Sequence, residues 1–536
     1  MGINNISIIN SAYSALEAAS AGMTVTSQNV AGASVEGFTR RQSASIVSTR
    51  ALSSWSFGST GFSVEGFTRF TDSLLDSQLR DQKSKSSYTS SLLQMVNGLD
   101  TSMMDPANSI SDAISSFFNA AGTLASDTTR TSNIQNFAAS ATQVATRVST
   151  FSDLIHQLGA STATNLTAIL EQANSIAPAL AKINLDVLMG SVPGNATPSA
   201  DILDERDRLT MQLQDLLGGK TIINADGTAT FQVGGMALVD GQSVNKFINT
   251  DVSTSPYGVQ LQSGDGLQHS IGYLSSIGTT LTTNTGNLYE APARTAFTGG
   301  QAGASFTILT DFIPKLKREL SALCLTLARD TNSVTQKNGG PITPVFAYKN
   351  TSSAGGVNTL TATILPDGTL VPKTIVGPSG YLTTYEDVIK GLSFVNLMDK
   401  SDPTSTNYDP SIAAVVNGVD WSADLFVSNI TPATNTVLSI DSAAANAIEG
   451  NRASFSTPLS LITSSVASTI ASWKAQDKAN ISVATRLNNS KQSISGVNLD
   501  EEAANLVKFQ QLYGAASKVL QTANQMFATL LATMNA

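Results

Sequence analysis

The sequence predicts an α+β multidomain protein with terminal helices paired as a coiled coil, an elongated helical bundle or rod domain, and inserted β-rich domains. Three observations lead to this prediction. Apolar residues recur every seven positions at both ends of the chain. Long internal segments carry apolar residues at helical spacing, and two other stretches switch to the alternation typical of strands. Because 536 residues exceed what one core can organise, we expect roughly three or four domains.

The C-terminal segment from Leu499 to Met534 carries the clearest repeat. One row recurs at sevens and a second row follows three residues later. The first is Leu499, Leu506, Tyr513, Leu520, Phe527 and Met534, and the second is Phe509, Ala516, Ala523 and Leu530. Such a seam of a and d positions needs a partner helix. Asn498 is the predicted N-cap, and the acidic run Asp500 to Glu502 suits the positive end of the helix dipole.

The N-terminal segment supplies the predicted partner helix. Its heptad row is Ile9, Leu16, Met23 and Val30, with Ile6 and Tyr13 in the second row. Glu17 is the only charged residue between Met1 and Val35, and none follows Lys518. A solvated coiled coil carries charges on its outer positions, so neutral outer faces favour burial among copies of the chain. Terminal helices that simply belong to the core of a monomer are the alternative interpretation.

The predicted assembly interface combines the larger members of both repeats. These residues are Ile9, Tyr13, Leu16, Met23, Val30, Leu499, Leu506, Phe509, Tyr513, Leu520, Phe527, Leu530 and Met534. A turn motif of Gly37, Phe38, Thr39 and Arg40 follows the first helix. It ends the hexad Val35–Arg40, which recurs without change at Val64–Arg69. Glycine lets the backbone turn and arginine can pair with a carboxylate, although a chance echo is an alternative.

Periodicity divides the rest of the chain. Helical spacing covers 72–99, 109–125, 128–189, 201–217, 312–334 and 459–494. Hairpins are predicted around Asp226-Gly227 and around Pro366-Asp367-Gly368. The predicted domains are a terminal coiled-coil assembly domain (1–42 with 495–536), a helical rod domain (43–200 with 300–340 and 457–494), a β-rich domain (201–299) and a second inserted β-rich outer domain (341–456).

Composition and motifs argue against an enzyme. The net charge of −9 without a Lys/Arg cluster argues against a nucleic-acid or membrane partner. Cys324, the single cysteine, is expected to be a buried thiol, and His156 and His269 lie near no nucleophile motif. No phosphate loop, dinucleotide fingerprint or metal-binding motif occurs, so we predict no catalytic residue, cofactor or metal. We interpret the charged residues 201–208 as ion pairs on a solvated helix. The first residues lack a signal-peptide pattern, so we expect export without a cleaved signal.

Both ends resemble flagellar axial proteins, most closely the hook-associated protein 1 family. The resemblance rests on Ser495–Leu506 followed by Phe509–Tyr513, on Ala12–Ala21 with Asn29 and Gly37–Arg40, and on Leu203–Leu209 with the strands after it. It covers roughly residues 1–340 and 450–536. The sequence departs from the family pattern at Asn332–Lys337, and 341–448 has little counterpart.

The resemblance implies a structural subunit of the junction between the flagellar hook and filament. It also implies type III export to an extracellular flagellum, terminal helices that are loosely held in the free subunit, and several partners. These are copies of the chain in a ring or short tubular layer, hook protein, the second junction protein or filament subunits, and an export chaperone at the C-terminal helix. Another axial protein (hook, rod or filament type) and a secreted adhesin-like module on a helical stalk are the alternatives.

Overall fold

The structure is a computed structural model that describes most of the chain. The described residues are 2–35, 37–49, 60–104, 109–190, 199–248, 259–263, 266, 268–273, 294–295, 297–334, 345–348, 362–364, 370–372, 375–376, 382–383, 392–409, 412–413, 416, 425–427 and 440–534.

Long helices dominate the described residues. In chain order they are α1 (Gly2–Gly32), α2 (Ser73–Met104), α3 (Ile110–Ser126), α4 (Thr131–Gly190), α5 (Ala200–Leu217), α6 (Gly300–Thr307), α7 (Ile313–Val334), α8 (Phe394–Ser401), α9 (Ser442–Gly450), α10 (Arg452–Ser495) and α11 (Leu499–Met534). One turn of π-helix, Ile308–Phe312, joins α6 to α7. Within these residues no helix combines the length and the apolar character that crossing a membrane requires.

The strands form small antiparallel sheets. β1 (Arg41–Thr49) pairs with β2 (Thr60–Arg69). The first four-stranded sheet contains β3 (Lys220–Ile223), β4 (Ala229–Val233), β5 (Met236–Asp240) and β6 (Ser243–Val244) in chain order. The second contains β7 (Lys246–Ile248), β8 (Val259–Gln262), β9 (Gln268–Tyr273) and β10 (Arg294–Thr295). Further along the chain lie β11 (Phe346–Tyr348), β12 (Ala362–Ile364), β13 (Leu370–Pro372), β14 (Ile375–Val376), β15 (Leu382–Thr383) and β16 (Leu425–Val427).

Local signals account for several element boundaries. The Ser109 hydroxyl accepts a hydrogen bond from the Asp112 backbone N–H at 3.0 Å, which caps α3. Gly218 ends α5 in the left-handed region with φ 69°. The hairpin predicted around Asp226-Gly227 is confirmed, since β3 pairs with β4 across that turn. β12 likewise pairs with β13, although the predicted Pro366-Asp367-Gly368 turn lies outside the described residues.

Two apolar cores organise the body of the protein, and α4 runs through both. In the first, Phe117 of α3 packs against Phe137 of α4 and Phe346 of β11, with ring centroids 5.1 and 5.3 Å apart. In the second, the later half of α4 packs with α5, α6 and the sheets, and the Phe297 and Phe306 rings stack at 5.1 Å. Among the side chains that the structure describes, neither core includes one from α1, the β1–β2 hairpin or α11.

The predicted β-rich domain of 341–456 also contains two helices, which the sequence patterns did not identify. Phe394–Ser401 and Ser442–Gly450 are helices, and their buried residues belong to the first core rather than to a separate outer domain. Both helices begin with a side-chain cap, Ser393 and Asp441 respectively. Periodicity does not identify them, because short apolar runs look alike as strand or helix.

Candidate assembly interface

The two terminal helices lie against each other in the structure. The Cβ position of Gly22 in α1 lies 2.5 Å from the Phe509 ring of α11, so only glycine fits there. Arg40, which follows α1, reaches Glu501 in the first turn of α11. Because later residues of α1 meet earlier residues of α11, the two helices run antiparallel.

The buried face of α1 differs from the predicted heptad row. Mostly small residues fill it: Ala12, Ala19, Gly22, Thr26 and Asn29 are buried, together with Val25. The predicted row is more exposed. Tyr13 is 67% exposed, Val30 is exposed, and Ile9, Leu16 and Met23 are half-buried. Small residues let two helices approach closely, so α1 contacts α11 through its small residues. The predicted row of large apolar residues is not the face that α1 turns toward α11 within one chain.

The contact face of α11 matches one of the two predicted rows. Ala516 and Ala523 are buried, and Phe509, Leu506 and Leu520 are half-buried. Leu499, Tyr513 and Phe527 of the other row are exposed. The predictions for the side chains of Leu530 and Met534 lie outside the described residues. Packing of these residues among copies of the chain stays a prediction.

An exposed apolar strip runs along α11 beside its contact face. It consists of Leu512, Tyr513, Val519, Met526 and Phe527, each between 43% and 48% exposed. Positions 512, 519 and 526 are one heptad apart, and 513 and 527 lie next to them. We refer to these five residues as the α11 ribbon. A single chain leaves it partly in contact with solvent.

The turn motif connects the end of α1 to the start of α11. Gly37 has φ 85°, which favours glycine, and a Cβ on Gly32 would overlap the ring of Phe38. The Arg40 guanidinium bonds to Glu501 at 3.0 Å and to the buried Glu502 at 2.9 Å. Arg40 therefore pairs with two carboxylates at the start of α11.

Backbone hydrogen bonds fix the same region. The Arg40 N–H donates to the Ser495 carbonyl at 3.0 Å, and the Phe70 N–H donates to the Arg40 carbonyl at 2.9 Å. The Ser495 hydroxyl donates to the Phe70 carbonyl at 2.6 Å. Buried Asn29 holds Arg41 from both sides, because its amide donates to the Arg41 carbonyl at 3.0 Å and accepts from the Arg41 N–H at 2.9 Å.

Helix α5 supplies carboxylates to the two arginines at the base of the hairpin. Arg41 bonds to Asp201 at 2.6 Å and to Asp204 at 3.0 Å. Arg69 bonds to Asp204 at 2.8 Å and to Asp207 at 2.9 Å. Burial lowers the pKa of Arg69, but the charges and hydrogen bonds of Asp207 and Asp204 outweigh it, so the pKa is raised overall.

The interpretation of residues 201–208 as ion pairs on a solvated helix is therefore correct only in part: both arginines of the segment pair within it, but Asp204 and Arg206 are largely shielded from solvent, and three aspartates also bond to the hairpin arginines. Only Glu205 and Arg208 form an exposed local pair. Arg206 is buried, bonding to Asp207 and to the Gly227 carbonyl. Spacing of Asp201, Asp204 and Asp207 by three residues is the available signal, because it aligns carboxylates on one helix face. Nothing local identifies their partners.

The remaining candidate groups for chemistry lie apart. His156 is exposed, with its Nδ1 3.2 Å from the Lys317 ammonium. His269 lies in β9, as the strand pattern around it indicates, and only its backbone is described. Cys324 is buried, as predicted. Among the described residues, no three His, Cys, Asp or Glu side chains are grouped to hold a metal ion.

Comparisons with known proteins connect this arrangement to the flagellum. The family model of the flagellar hook-associated protein FlgK helical domain matches residues 96–340. The model of the flagellar basal body rod FlgEFG protein C-terminal region matches residues 491–533.

Curated relatives match over almost the whole chain. Flagellar hook-associated protein 1 of Salmonella typhimurium strain LT2 is 24% identical over 573 residues, which cover 98% of this chain and 99% of the relative. The protein of the same name from Escherichia coli strain K12 is 24% identical over 563 residues, with the same coverage. A solved structure of the flagellar hook junction protein FlgK from Burkholderia pseudomallei matches with a TM-score of 0.40 at 21% identity, covering 51% of this chain and 47% of that one. By the helical-domain match and these near full-length relatives, the chain is similar to flagellar hook-associated protein 1 over almost its whole length.

Proposed function

We propose that this protein is a non-enzymatic structural subunit of the bacterial flagellum that forms the junction between hook and filament. It does so by packing its terminal helices with those of neighbouring subunits. The observation that carries this proposal is the α11 ribbon, an exposed apolar strip on a helix that has no charged residue after Lys518 and that packs against α1, whose only charged residue is Glu17. Exposing such a strip to water is unfavourable, and covering it with the apolar faces of other terminal helices removes that cost.

The energetics favour several neighbours for each subunit. Burying a large apolar side chain fully is worth about 1.5–3 kcal/mol, so covering the exposed half of five side chains gains roughly 4–7 kcal/mol. Losing the free motion of a subunit costs about as much or more. The ribbon alone therefore does not hold a subunit in place. The exposed row of α1, including Tyr13 and Val30, has to be covered as well.

This requirement leads to a layer of copies rather than a simple pair. We propose that the terminal helices form an inner coiled-coil layer in a ring or short tube, with the helical body outside it. Hook protein would lie on one side, and the second junction protein or filament subunits on the other. Before assembly, an export chaperone would cover the exposed C-terminal helix, and the subunit would leave the cell by flagellar type III export.

Deletion of residues 514–536 tests the proposal, because it removes most of the ribbon and leaves both apolar cores intact. In cells lacking the native protein, the truncated chain should fold and be detectable, yet electron microscopy should show complete hooks without filaments. The full-length chain, expressed in the same cells, should restore filaments. Filaments of normal number with the truncated chain would contradict the proposal. Adhesion to a surface without any effect on filaments would support a binding module instead.

A further inference from the structure

We propose that the largely buried network of arginines and aspartates at the base of the β1–β2 hairpin fixes the direction of the terminal helix pair relative to the body of the subunit. The network consists of Arg41, Arg69, Asp201, Asp204, Asp207 and Arg206. Its members act as positioning residues. The proposal goes beyond the assembly function, because it concerns the single chain before any neighbour is present.

The repeated hexad explains how the network is built. Strand register pairs Arg41 with Arg69, so the ends of both copies of the hexad meet at the base of the hairpin. Arg40, at the end of the first copy, bonds to the acidic start of α11. Arg69, at the end of the second copy, bonds to Asp204 and Asp207 of α5. The first copy of the hexad thus bonds to the terminal helix pair, and the second copy bonds to the body.

Apolar packing does not perform this positioning among the described residues. Neither core includes a residue of α1, the hairpin or α11. The extensive contacts of α1 are with α11, β1 and β2, and those of α11 are with α1. The hairpin reaches the body through α5. The direction of the pair is therefore set by polar contacts: the backbone hydrogen bonds among Arg40, Phe70 and Ser495, and the network where the hairpin meets α5.

The chemistry of the network suits a directional role. Asp204 is 12% exposed at its side chain and is shared by two arginines. Arg41 donates from Nη2 to both Asp201 and Asp204, and Arg69 donates from Nη1 to both Asp204 and Asp207, so each arginine ties two turns of α5 to the hairpin. Buried ion pairs add little net stability compared with apolar residues, but they select one geometry. Arg206 extends the network to the Gly227 carbonyl in the β3–β4 turn.

A distance measurement between two spin labels tests the proposal in the full chain. Nitroxides on Ala503→Cys and Gln212→Cys report on the start of α11 and on α5. Both positions are exposed, and the native Cys324 is buried. The unmodified network should give one narrow distance distribution. Asp204→Asn should broaden or shift it, because both arginines lose their shared charge. Glu205→Gln is the matched control, since it removes only the exposed local pair with Arg208 and should leave the distribution unchanged.

Arg69→Gln removes both ion pairs of this arginine but leaves Asp204 bonded to Arg41, so it decides the matter if Asp204→Asn fails to fold. Broadening in this folded variant would support the proposal. An unchanged distribution in a cooperatively folded Asp204→Asn or Arg69→Gln variant would overturn it, and so would a broad distribution in the chain with an intact network. Failure of the assembly function leaves this distance unaffected, so the two proposals are tested separately.

Discussion

Replacing two members of the α11 ribbon with polar residues should weaken incorporation while the body stays folded. The double variant Met526→Gln/Phe527→Gln retains good helix formers and removes two side chains that are 43% and 47% exposed. The change leaves both apolar cores untouched, because α11 contributes no residue to either of them.

The expected magnitude follows from the exposed area. Full burial of a side chain of this size is worth about 1.5–3 kcal/mol, so the exposed half contributes roughly 0.8–1.5 kcal/mol when a neighbour covers it. Two such residues contribute about 2 kcal/mol. Since about 1.4 kcal/mol corresponds to a factor of ten, incorporation should weaken roughly 30-fold.

The assay compares secretion and assembly in cells that lack the native protein. The variant should be exported, accumulate in the medium and support few filaments, and the thermal unfolding of the purified body should be unchanged. Asn524→Gln/Gln525→Asn is the matched control, because it exchanges exposed polar residues next to the same positions and should support normal filaments. Normal incorporation of the apolar-to-polar variant would refute the reasoning.

Three further predictions concern single sites. Burial raises the pKa of Glu319, one of whose carboxylate oxygens has no hydrogen-bond partner, so the folded chain should lose stability as pH rises from the ordinary pKa of a glutamate through the raised one. Glu319→Gln should therefore stabilise the chain more at pH 8 than at pH 5, by roughly 1.4 kcal/mol for each pH unit that separates the folded and unfolded pKa. An equal effect in urea unfolding at both pH values would contradict this prediction. Gly218→Ala should lower the unfolding free energy by about 3 kcal/mol or more, because its Cβ would overlap the Gly299 backbone. Gly235→Ala is the matched control: this glycine also has a positive φ but lies in open space, so the substitution should lower the unfolding free energy by only about 1–2 kcal/mol. Asn29→Ala should lower the unfolding free energy by about 2–3 kcal/mol and accelerate hydrogen exchange of the Arg41 backbone N–H, which donates to the Asn29 side chain. Unchanged exchange at Arg41 would contradict this prediction.

Sequence patterns were sufficient where the determinants lie close together in the chain. The C-terminal helix begins and ends at the predicted Leu499 and Met534. The apolar spacing, the Asn498 cap and the acidic first turn all act within a few residues of one another. The Asp226-Gly227 hairpin was predictable for the same reason, since the turn residues themselves set the pairing of β3 with β4.

Patterns failed where the partner lies far away in sequence. The heptad row of α1 identified large residues that belong on a helix surface, but Phe509 packs on Gly22, almost 500 residues earlier, through the smaller face. A repeat of large side chains records which residues avoid water. It does not record which helix covers them, because that depends on how closely two backbones can approach.

The partners of the charged side chains were likewise not encoded in local patterns. By itself the sequence determined that the charged residues 201–208 lie on a helix and form ion pairs, and that Arg40 could pair with a carboxylate. Only the tertiary structure decided that Asp204 joins Arg41 to Arg69. The physical reason is that one carboxylate can bond to any arginine within reach, and reach is set by the hairpin register and by the position of α5, which no local pattern encodes.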